Sequence, residues 1–374
     1  MLKRIVSGTV LAFLLIGMLT LAFNIQPAKA EPKTWTVDDD GPADFHTIQE
    51  AINAASAKDT IYVRNGTYYE HVTIAKNSLT IIGEDKTSTI IDGSGTVVVM
   101  YVTANNVNIS GFTILDGGWA GVELQGDHNQ IFGNVLLGNY GARGIAVTES
   151  SHNTIMGNVI ANYGEGIGLA FWSSNNNVSG NTIMDNWYGI EMVLAGGNIL
   201  RNNNLTRNRH SFGVYGDSLS DFINNIDTSN TVDGKPIYYL INQKDVIADP
   251  VTFPIIGYLA FINSTQITVK NLTLTNNIDG LLFAYTTDSM ITNTNIFDNL
   301  YAIKLIHTSN INVTRNKMTG HSFSVYLEWS RGNLITENTI TNFGDGISLH
   351  SSESNTVTRN TITGSGRYFG YGIV

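Results

Sequence analysis

The sequence predicts an all-β fold, a right-handed parallel β-helix of about 13 coils preceded by a short N-terminal capping helix. Apolar residues recur about every 22 to 24 positions, and a second apolar residue usually follows two positions later. Alternation by two is the strand period, and this repeat length fits one coil of a solenoid. Parallel crossovers are almost always right-handed, which predicts the hand. The first column is Val99, Val122, Ile145, Ile167, Ile190, Val214, Ile237, Leu259, Leu281, Ile303, Val325, Ile347 and Ile373.

Asn-rich turns separate the three short strands predicted for each coil. Side-chain amides that stack from coil to coil can hydrogen-bond along the axis, so we expect a structural ladder. Its predicted members are Asn134, Asn158, Asn181, Asn203, Asn271, Asn316, Asn338 and Asn360. Within the predicted β-helix we expect the apolar core to continue without interruption through residues 230–272, with no separate domain there.

The predicted organisation is a signal peptide (1–30), an N-terminal cap with the first strand (31–60) and the parallel β-helix (61–374). Lys3 and Arg4 precede an apolar run, and Ala28 and Ala30 form a small-residue cleavage pattern. We therefore expect a secreted or cell-surface protein, cleaved near Ala30, although an uncleaved segment would serve as a membrane anchor. The chain stops inside a coil at Val374, which predicts a missing C-terminal part that could carry an anchor or a further domain.

The capping helix is predicted from Thr47 and Glu50, which have capping-box spacing, and from Ile48, Ile52 and Ala55, which share one helical face. It would cover the open apolar end of the first coil and protect its strand edges.

Composition excludes some classes of function. The net charge of −10 argues against nucleic acid, because phosphate binding needs clustered cations. The chain has no cysteine, so it has neither disulfides nor thiolate chemistry. Glycosylation is possible at the Asn-x-Ser/Thr sites Asn65, Asn108, Asn177, Asn204, Asn263, Asn271 and Asn312. The sequence leaves the oligomeric state open.

Two regions resemble known β-helix families. The segments TVDDDGPADFHTIQEAI (36–52), DTIYV (59–63) and GTY (66–68) look like the start of pectin-methylesterase-like and NosD-like proteins. The segments NTVDGKPIYYL (230–240) and GYLAFINSTQITVKNL (257–272) are similar to NosD-like proteins of the archaeal surface type. The resemblance implies a pectin-lyase-like fold, an exported protein and a carbohydrate or surface partner, but these coils serve different functions in different proteins.

The family resemblance does not extend to its chemistry. The paired aspartates and glutamines of the esterases have no match here, so no esterase residues are assigned. The NosD name implies copper, yet soft copper sites need Cys, Met or His held together. The eight histidines lack His-x-His spacing. We expect no cofactor; calcium at Asp38, Asp39 and Asp40 is the alternative, and a charged turn is the simpler interpretation.

Chemistry would have to lie on outward positions, and these form two clusters. The early coils present Glu123, Glu191, Tyr215, Asp217 and Tyr238, with Glu191 and Asp217 predicted roughly 8 Å apart, a separation that fits an inverting glycosidase. The late coils present Lys304, Tyr326, Glu328 and His350, with Lys304 beside Tyr326 and Glu328 beside His350 on adjacent coils. Trp119, Phe171, Trp172, Trp187 and Trp329 add aromatic surface that could bind sugar rings.

Two functions remain open at this point. The first is a non-catalytic exported scaffold that binds carbohydrate or mediates a cell-surface interaction, favoured because the repeats carry no recognised active constellation. The second is a polysaccharide lyase, epimerase or glycoside hydrolase that uses one of the outward clusters for acid/base chemistry. A NosD-like copper accessory role is the third and weakest alternative.

Overall fold

The computed structural model describes residues 31–365 and 371–374. The predicted signal peptide lies outside the described residues. Residues Thr34–Val374 form one compact unit. The predicted fold is confirmed as an all-β, right-handed parallel β-helix, with about 15 turns instead of 13. No helix in the described part of the chain has both the length and the apolarity needed to cross a membrane.

The capping helix covers the first coil as predicted. It spans Ile48–Ala54, its N-cap is Thr47, and Ile48 and Ile52 are buried. The Thr47 hydroxyl accepts a hydrogen bond from the Glu50 backbone at 3.3 Å. The Glu70 carboxylate accepts from the backbone N–H groups of Ile48 at 2.8 Å and Gln49 at 3.0 Å. A carboxylate at the positive end of the helix thus satisfies donors that have no partner within it.

The coils form two stacks. The first contains sheet A, sheet B and sheet C, and the second contains sheets D, E and F; sheets B and D join into one 14-stranded sheet. Sheet A is Thr34–Val37, Thr60–Val63, Thr80–Gly83, Asn108–Ser110, Gln130–Phe132, Thr154–Met156, Asn177–Ser179, Ile199–Arg201 and Asn225–Ile226. Sheet B is Gly66–Tyr68, Thr89–Asp92, Thr113–Leu115, Val135–Leu137, Val159–Ala161, Thr182–Met184, Asn204–Thr206 and Thr231–Val232. Sheet C is Val72–Ile74, Met100–Val102, Ala120–Leu124, Arg143–Thr148, Glu165–Ala170, Tyr188–Val193 and His210–Tyr215.

The second stack repeats the arrangement after a short helix, Leu219–Phe222. Sheet D is Lys235–Ile241, Tyr258–Ile262, Asp279–Ala284, Tyr301–Ile306, Phe323–Glu328 and Asp345–His350. Sheet E is Ile247–Ala248, Thr268–Lys270, Thr287–Thr292, Ser309–Thr314, Leu334–Thr336 and Thr356–Thr358. Sheet F is Thr273–Thr275, Asn295–Phe297, Lys317–Thr319, Thr339–Phe343 and Thr361–Ser365.

The predicted uninterrupted core through residues 230–272 is wrong. Strand Thr231–Val232 pairs with Lys235–Ile241 in antiparallel fashion, the only such pairing among the described strands, and the buried residues divide into two clusters at this point. A turn at Asp233 and Gly234, both with positive φ, reverses the chain. The second stack therefore begins anew, with its own interior.

The second stack lies with the outer face of sheet D against the open end of the first; we call this contact the seam. Ala260, Leu282 and Ile306 on that face are fully buried and belong to the core cluster of the first stack. The Phe212 ring packs edge-on against Tyr258, with the centroids 4.8 Å apart. A Cβ added at Gly213 would lie 2.4 Å from the Ile278 Cβ, so glycine permits this close approach.

Two predicted core pairs have the wrong register, one on the last strand of sheet C and one on the first strand of sheet D. Phe212 and Val214 align with Ile190 and Met192, so the inward pair is not Val214 and Gly216. Tyr238 aligns with Leu259, and Leu240 aligns with Phe261, inside the second stack. Ile237 and Tyr239 instead join the core of the first stack. A shift of one residue exchanges the two faces of a strand.

The predicted asparagine ladder is confirmed, except at Asn271, which is exposed. Asn158 Nδ2 donates to Asn181 Oδ1 at 3.1 Å, and Asn181 Nδ2 donates to Asn203 Oδ1 at 3.0 Å. Asn181 Nδ2 also donates to the Ile155 carbonyl at 2.9 Å. The ladder thus satisfies buried backbone and side-chain groups at each turn, where an unmet group would be costly.

We expect Asn181→Ala to lower the free energy of unfolding by about 3 kcal/mol, because it leaves several buried donors and acceptors without partners. The control is Asn177→Ala, on a half-buried side chain outside the ladder, which should cost less than about 1 kcal/mol. Urea denaturation would measure both. Equal losses in the two variants would contradict a structural role for the ladder.

Candidate functional site

The fold brings the two predicted outward clusters towards each other across the seam. Tyr215, at the end of sheet C, donates its hydroxyl to Glu328 Oε1 of sheet D at 3.3 Å. The register confirms that Lys304 is beside Tyr326 and that Glu328 is beside His350. The Tyr326 and His350 ring centroids are 4.9 Å apart. Sequence periodicity placed these groups on one face but could not place that face against the first stack.

Lys304 forms a buried ion pair at the seam. Its Nζ lies 3.1 Å from Asp279 Oδ1, and the side chains are 4% and 0% exposed. The ammonium also lies 4.7 Å from the Tyr301 ring centroid and 5.1 Å from that of Tyr215. Asp279 Oδ2 accepts from the Val214 backbone at 3.0 Å. These contacts make Lys304 and Asp279 a structural connection between the stacks.

The prediction that Glu191 and Asp217 form a carboxylate pair is wrong. Glu191 aligns with Gly213, so Asp217 lies beyond the end of the neighbouring strand. The Asp217 carbonyl accepts from Tyr285 Oη at 3.0 Å and lies 2.9 Å from His307 Nε2. Asp217 therefore belongs to a loop that packs on the second stack.

Glu165 is the carboxylate that lies beside Glu191. Gly168 aligns with Glu191 on the neighbouring strand, and a Cβ at Gly168 would be 2.4 Å from Glu165 Oε1. The Glu165 side chain therefore folds over the bare backbone of Gly168, next to Glu191. Arg143 Nε lies 2.8 Å from Glu165 Oε2. Glycine at position 168 makes room for this arrangement.

The environment raises the pKa of both carboxyls. Burial raises the pKa of Glu191 to about 7, and the neighbouring Glu165 charge adds to the shift. Burial also raises the pKa of Glu165, while Arg143 opposes that change. Glu191 is therefore partly protonated at neutral pH, as a group that both donates and accepts protons must be.

These residues lie in a cleft of about 410 Å³ on the outer face of sheet C. We call it the sheet C cleft; it is lined by Trp119, Tyr140, Arg143, Glu165, Trp187, Tyr188 and Glu191. The Trp119, Tyr140 and Trp187 side chains are exposed. The Arg143 guanidinium lies 4.8 Å from the Trp119 ring centroid, and Arg209 lies 4.0 Å from that of Trp187. A second cavity of about 240 Å³ shares Arg143, Glu165 and Glu191.

The period of the sequence did not single out Tyr140, Arg143 and Glu165 as site residues. Arg143, Glu165 and Tyr188 are register partners on successive coils. Each of them is followed by Gly and Ile. This recurring triplet could have identified the column, although the folding of Glu165 over Gly168 is a tertiary feature.

The remaining predicted site residues lie elsewhere. Glu123 Oε1 accepts from Gln125 Nε2 at 3.0 Å, and Glu123 lines a separate cavity of about 250 Å³ with His71 and Tyr101. Tyr238 packs inside the second stack, with its ring edge-on to Phe253 at 4.9 Å, so it was assigned to the wrong face.

At the seam, burial and Glu328 raise the pKa of Tyr326 to about 12, so the Tyr326 hydroxyl stays protonated at neutral pH.

The donors present do not fit a copper centre. Within the described ranges, the one cluster of three or more His, Cys, Asp or Glu ligands is Asp38, Asp39 and Asp40, whose ligand atoms lie within 4.8 Å of one another. Asp38 already lies 3.4 Å from Arg64, and Asp39 accepts from the Thr67 backbone at 3.2 Å. Two histidines that are distant in sequence do come together: His128 and His152 stack on adjacent coils with ring centroids 4.9 Å apart. Two exposed imidazoles fall short of the ligand set that copper prefers.

Family models match successive parts of the chain. Residues 34–116 match Pectinesterase, residues 96–246 match "Right handed beta helix region", and residues 223–374 match "Periplasmic copper-binding protein (NosD)". The C-terminal part of the chain is thus similar to NosD proteins, and the fold of the whole described chain is a right-handed parallel β-helix. The NosD match begins just before the chain reversal, so it coincides with the second stack.

Curated relatives match only a short part of this chain. "Probable pectinesterase/pectinesterase inhibitor 41" of Arabidopsis thaliana is 37% identical over 84 residues, which are 20% of this chain and 15% of the relative. "Pectinesterase 1" of Solanum lycopersicum is 37% identical over 90 residues, which are 21% of this chain and 16% of the relative. The chain thus covers less than a fifth of the length of either pectinesterase.

Solved structures align over more of the chain at low identity. A DFA-IIIase from Arthrobacter chlorophenolicus A6 aligns over 92% of this chain and 97% of its own, at 12% identity and a TM-score of 0.41. Pectate lyase Pel9A aligns over 90% and 80%, at 12% identity and a TM-score of 0.37. Likenesses at this level do not transfer an activity or a site.

We expect Glu165→Gln to lower the pKa of Glu191 from about 7, because it removes the neighbouring negative charge. Carbon-13 NMR of the labelled carboxyl would measure the shift. The matched control is Glu149→Gln, an exposed position on a neighbouring turn. An unchanged Glu191 pKa in Glu165→Gln would contradict the proximity of the two carboxyls.

The raised pKa of Glu191 also predicts a pH dependence of stability. The folded value lies above the ordinary value of 4.5, so protonation favours the folded state. This stabilising contribution is complete below about pH 4.5 and disappears as the pH rises through about 7. Denaturation across this range should therefore show wild type losing stability relative to Glu191→Gln.

Proposed function

We propose that this NosD-like protein is exported and binds a polysaccharide in the sheet C cleft. The observation that carries the proposal is the placement of three exposed aromatic side chains, Trp119, Tyr140 and Trp187, in one cleft with Arg143 and Glu165. Aromatic faces supply apolar contact for sugar rings, and the charged groups can hydrogen-bond to hydroxyls at their edges.

The coil spacing suits a linear polymer. Trp119 and Trp187 occupy equivalent positions three coils apart, since Arg143, Glu165 and Tyr188 follow on successive strands. With strands about 4.8 Å apart, the two indoles are roughly 14 Å from each other along the axis. Ala142 and Gly164 lie between them and leave the floor of the cleft low. A chain of several sugar units could span both rings.

The Arg–Trp contacts help to hold the cleft in a binding-competent form. Each guanidinium stacks on an indole, which restricts the rotation of both side chains before a ligand arrives. Less conformational freedom is then lost on binding. The partial matches to pectinesterases are consistent with a glycan ligand, although they cover only the first coils.

Acid/base catalysis on the bound glycan is a second candidate function, favoured by Glu191 and Glu165. Protonated Glu191 would give its proton to the glycosidic oxygen as the C–O bond breaks. Glu165 would accept a proton from a water molecule while the oxygen of that water bonds to the anomeric carbon. These two proton transfers complete the hydrolysis. Lys304 was predicted as a candidate catalytic residue, but it forms a buried ion pair with Asp279 and has no role in this mechanism.

We expect Trp119→Ala and Trp187→Ala each to weaken glycan binding about tenfold or more, equivalent to about 1.4 kcal/mol. A polysaccharide array would identify ligands, and calorimetry with the best oligosaccharide would give affinities. The matched control is Trp329→Ala, because Trp329 and Trp119 are both 54% exposed and Trp329 lies outside the cleft. Binding that survives both cleft variants, or that is lost equally in the control, would contradict the proposal.

Catalysis has its own test. If the bound glycan is hydrolysed, Glu191→Gln should reduce the release of reducing ends at least a hundredfold while the affinity changes little, because Gln cannot donate the proton. The neighbouring Glu123→Gln, on the same outer face but in another cavity, is the control. Binding without turnover of any array ligand would restrict the protein to the scaffold function.

A further inference from the structure

A second cavity crosses the seam. It has a volume of about 510 Å³ and receives Arg207, Arg209 and His210 from the first stack and Asn276 and Asp298 from the second. We call it the seam pocket. Its walls are brought together only by the contact between the stacks, which the sequence analysis did not foresee. The cluster of Arg207, Arg209 and His210 along one coil would otherwise be an ordinary polar turn.

His210 is a buried group in this pocket whose Nδ1 atom has no hydrogen-bond partner, although the Asn277 backbone hydrogen-bonds to the imidazole. Its residue is 7% exposed, and Nδ1 makes no hydrogen bond in the described structure. The ring stacks on Tyr188, with centroids 5.8 Å apart, which fixes its plane. Burial lowers the pKa of His210 to about 4, so the imidazole is neutral at physiological pH. A buried polar atom of this kind normally has a partner, which a ligand or water would supply.

The charges of the pocket favour a neutral ligand over an anion. Arg207 is engaged by Asp185, with Nη2 2.6 Å and Nε 2.8 Å from its two oxygens. Asp233 Oδ1 accepts from the Arg207 backbone at 2.9 Å. Asp298 brings a further carboxylate, and the Arg209 guanidinium, which lies over Trp187, brings one cation. With Arg207 neutralised by Asp185, the two carboxylates outnumber the remaining cation, which disfavours an anion. Donors and acceptors are mixed, and a hydroxyl group can use both.

The pocket adjoins the sheet C cleft. Arg209 lines the pocket, and its guanidinium lies 4.0 Å from the ring centroid of Trp187, which lines the cleft. His210 follows Tyr188 in register, directly beyond the cleft. We propose that the seam pocket is a subsite for a neutral, hydroxyl-rich sugar unit and continues the sheet C cleft across the seam. The inference rests on the proposed function for its connection to a longer glycan.

The test uses the full chain with glucose, galactose and mannose as neutral probes and galacturonate as the acidic counterpart of galactose. At least one neutral sugar should shift the imidazole nitrogen-15 resonances of His210 in a saturable manner, and galacturonate should bind at least tenfold more weakly than galactose. No shift with any neutral sugar, or an equal response to galacturonate, would overturn the inference.

A matched pair of variants locates the response. Asp298 and Asp288 both occupy turns of positive φ, 56° and 51°, so glycine fits either backbone without strain. Asp298→Gly should weaken the neutral sugar at least tenfold, whereas Asp288→Gly should leave the titration unchanged. Equal titrations in wild type and Asp298→Gly would assign the sugar to another place and contradict the subsite.

The polysaccharide array separates this inference from the proposed function. If array binding depends on Trp119 but the His210 resonances do not shift with any neutral sugar, the subsite is overturned and the sheet C cleft remains supported. A His210 response without array binding supports the subsite and overturns the sheet C cleft as a polysaccharide site. Responses in both experiments, with lower oligosaccharide affinity in Asp298→Gly, support one continuous site.

Discussion

The contact between the outer face of sheet D and the open end of the first stack is the interaction on which the rest of the structure depends. An open solenoid end exposes apolar core and unpaired strand edges to water. Here Ala260, Leu282 and Ile306 cover that core and are fully buried. The Ile278 backbone N–H donates to the Phe212 carbonyl at 3.0 Å, which satisfies part of the last edge. The second stack is thus the C-terminal cap of the first.

Polar groups determine how this apolar contact is oriented. An aliphatic face can slide over another with little change in free energy, whereas Asp279 must meet both Lys304 and the Val214 N–H. Burying the ion pair has a large desolvation cost, so its net contribution to stability is small. Loss of one partner would leave a buried charge, and such pairs therefore favour one register over others. The relative positions of the residues that line the seam pocket, next to the sheet C cleft, depend on that register.

The sequence predicted the coils in which one strand face points inward and the other outward. The prediction failed where both faces of a strand are buried. Period-two alternation correctly identified the inward columns on most coils because only one strand face is apolar there. In Lys235–Ile241 both faces are covered, by two different cores, so Ile237 and Tyr239 look as inward as Tyr238 and Leu240. For the site, Glu191 was found because it projects outward from a strand. Glu165 was missed because its direction depends on the absence of a side chain at Gly168.

The charges at the seam have little net effect on the pKa of Glu191. Lys304 lowers the pKa of Glu191 and Asp279 raises it, and these opposing charges lie 3.1 Å apart at the seam. Because a close ion pair acts on a more distant group mainly as a dipole, the two effects largely offset each other. The pKa of Glu191 is then controlled by burial and by Glu165. The connection between the stacks can therefore be strongly charged without fixing the protonation state of the cleft, and the same seam can support either binding or acid/base chemistry.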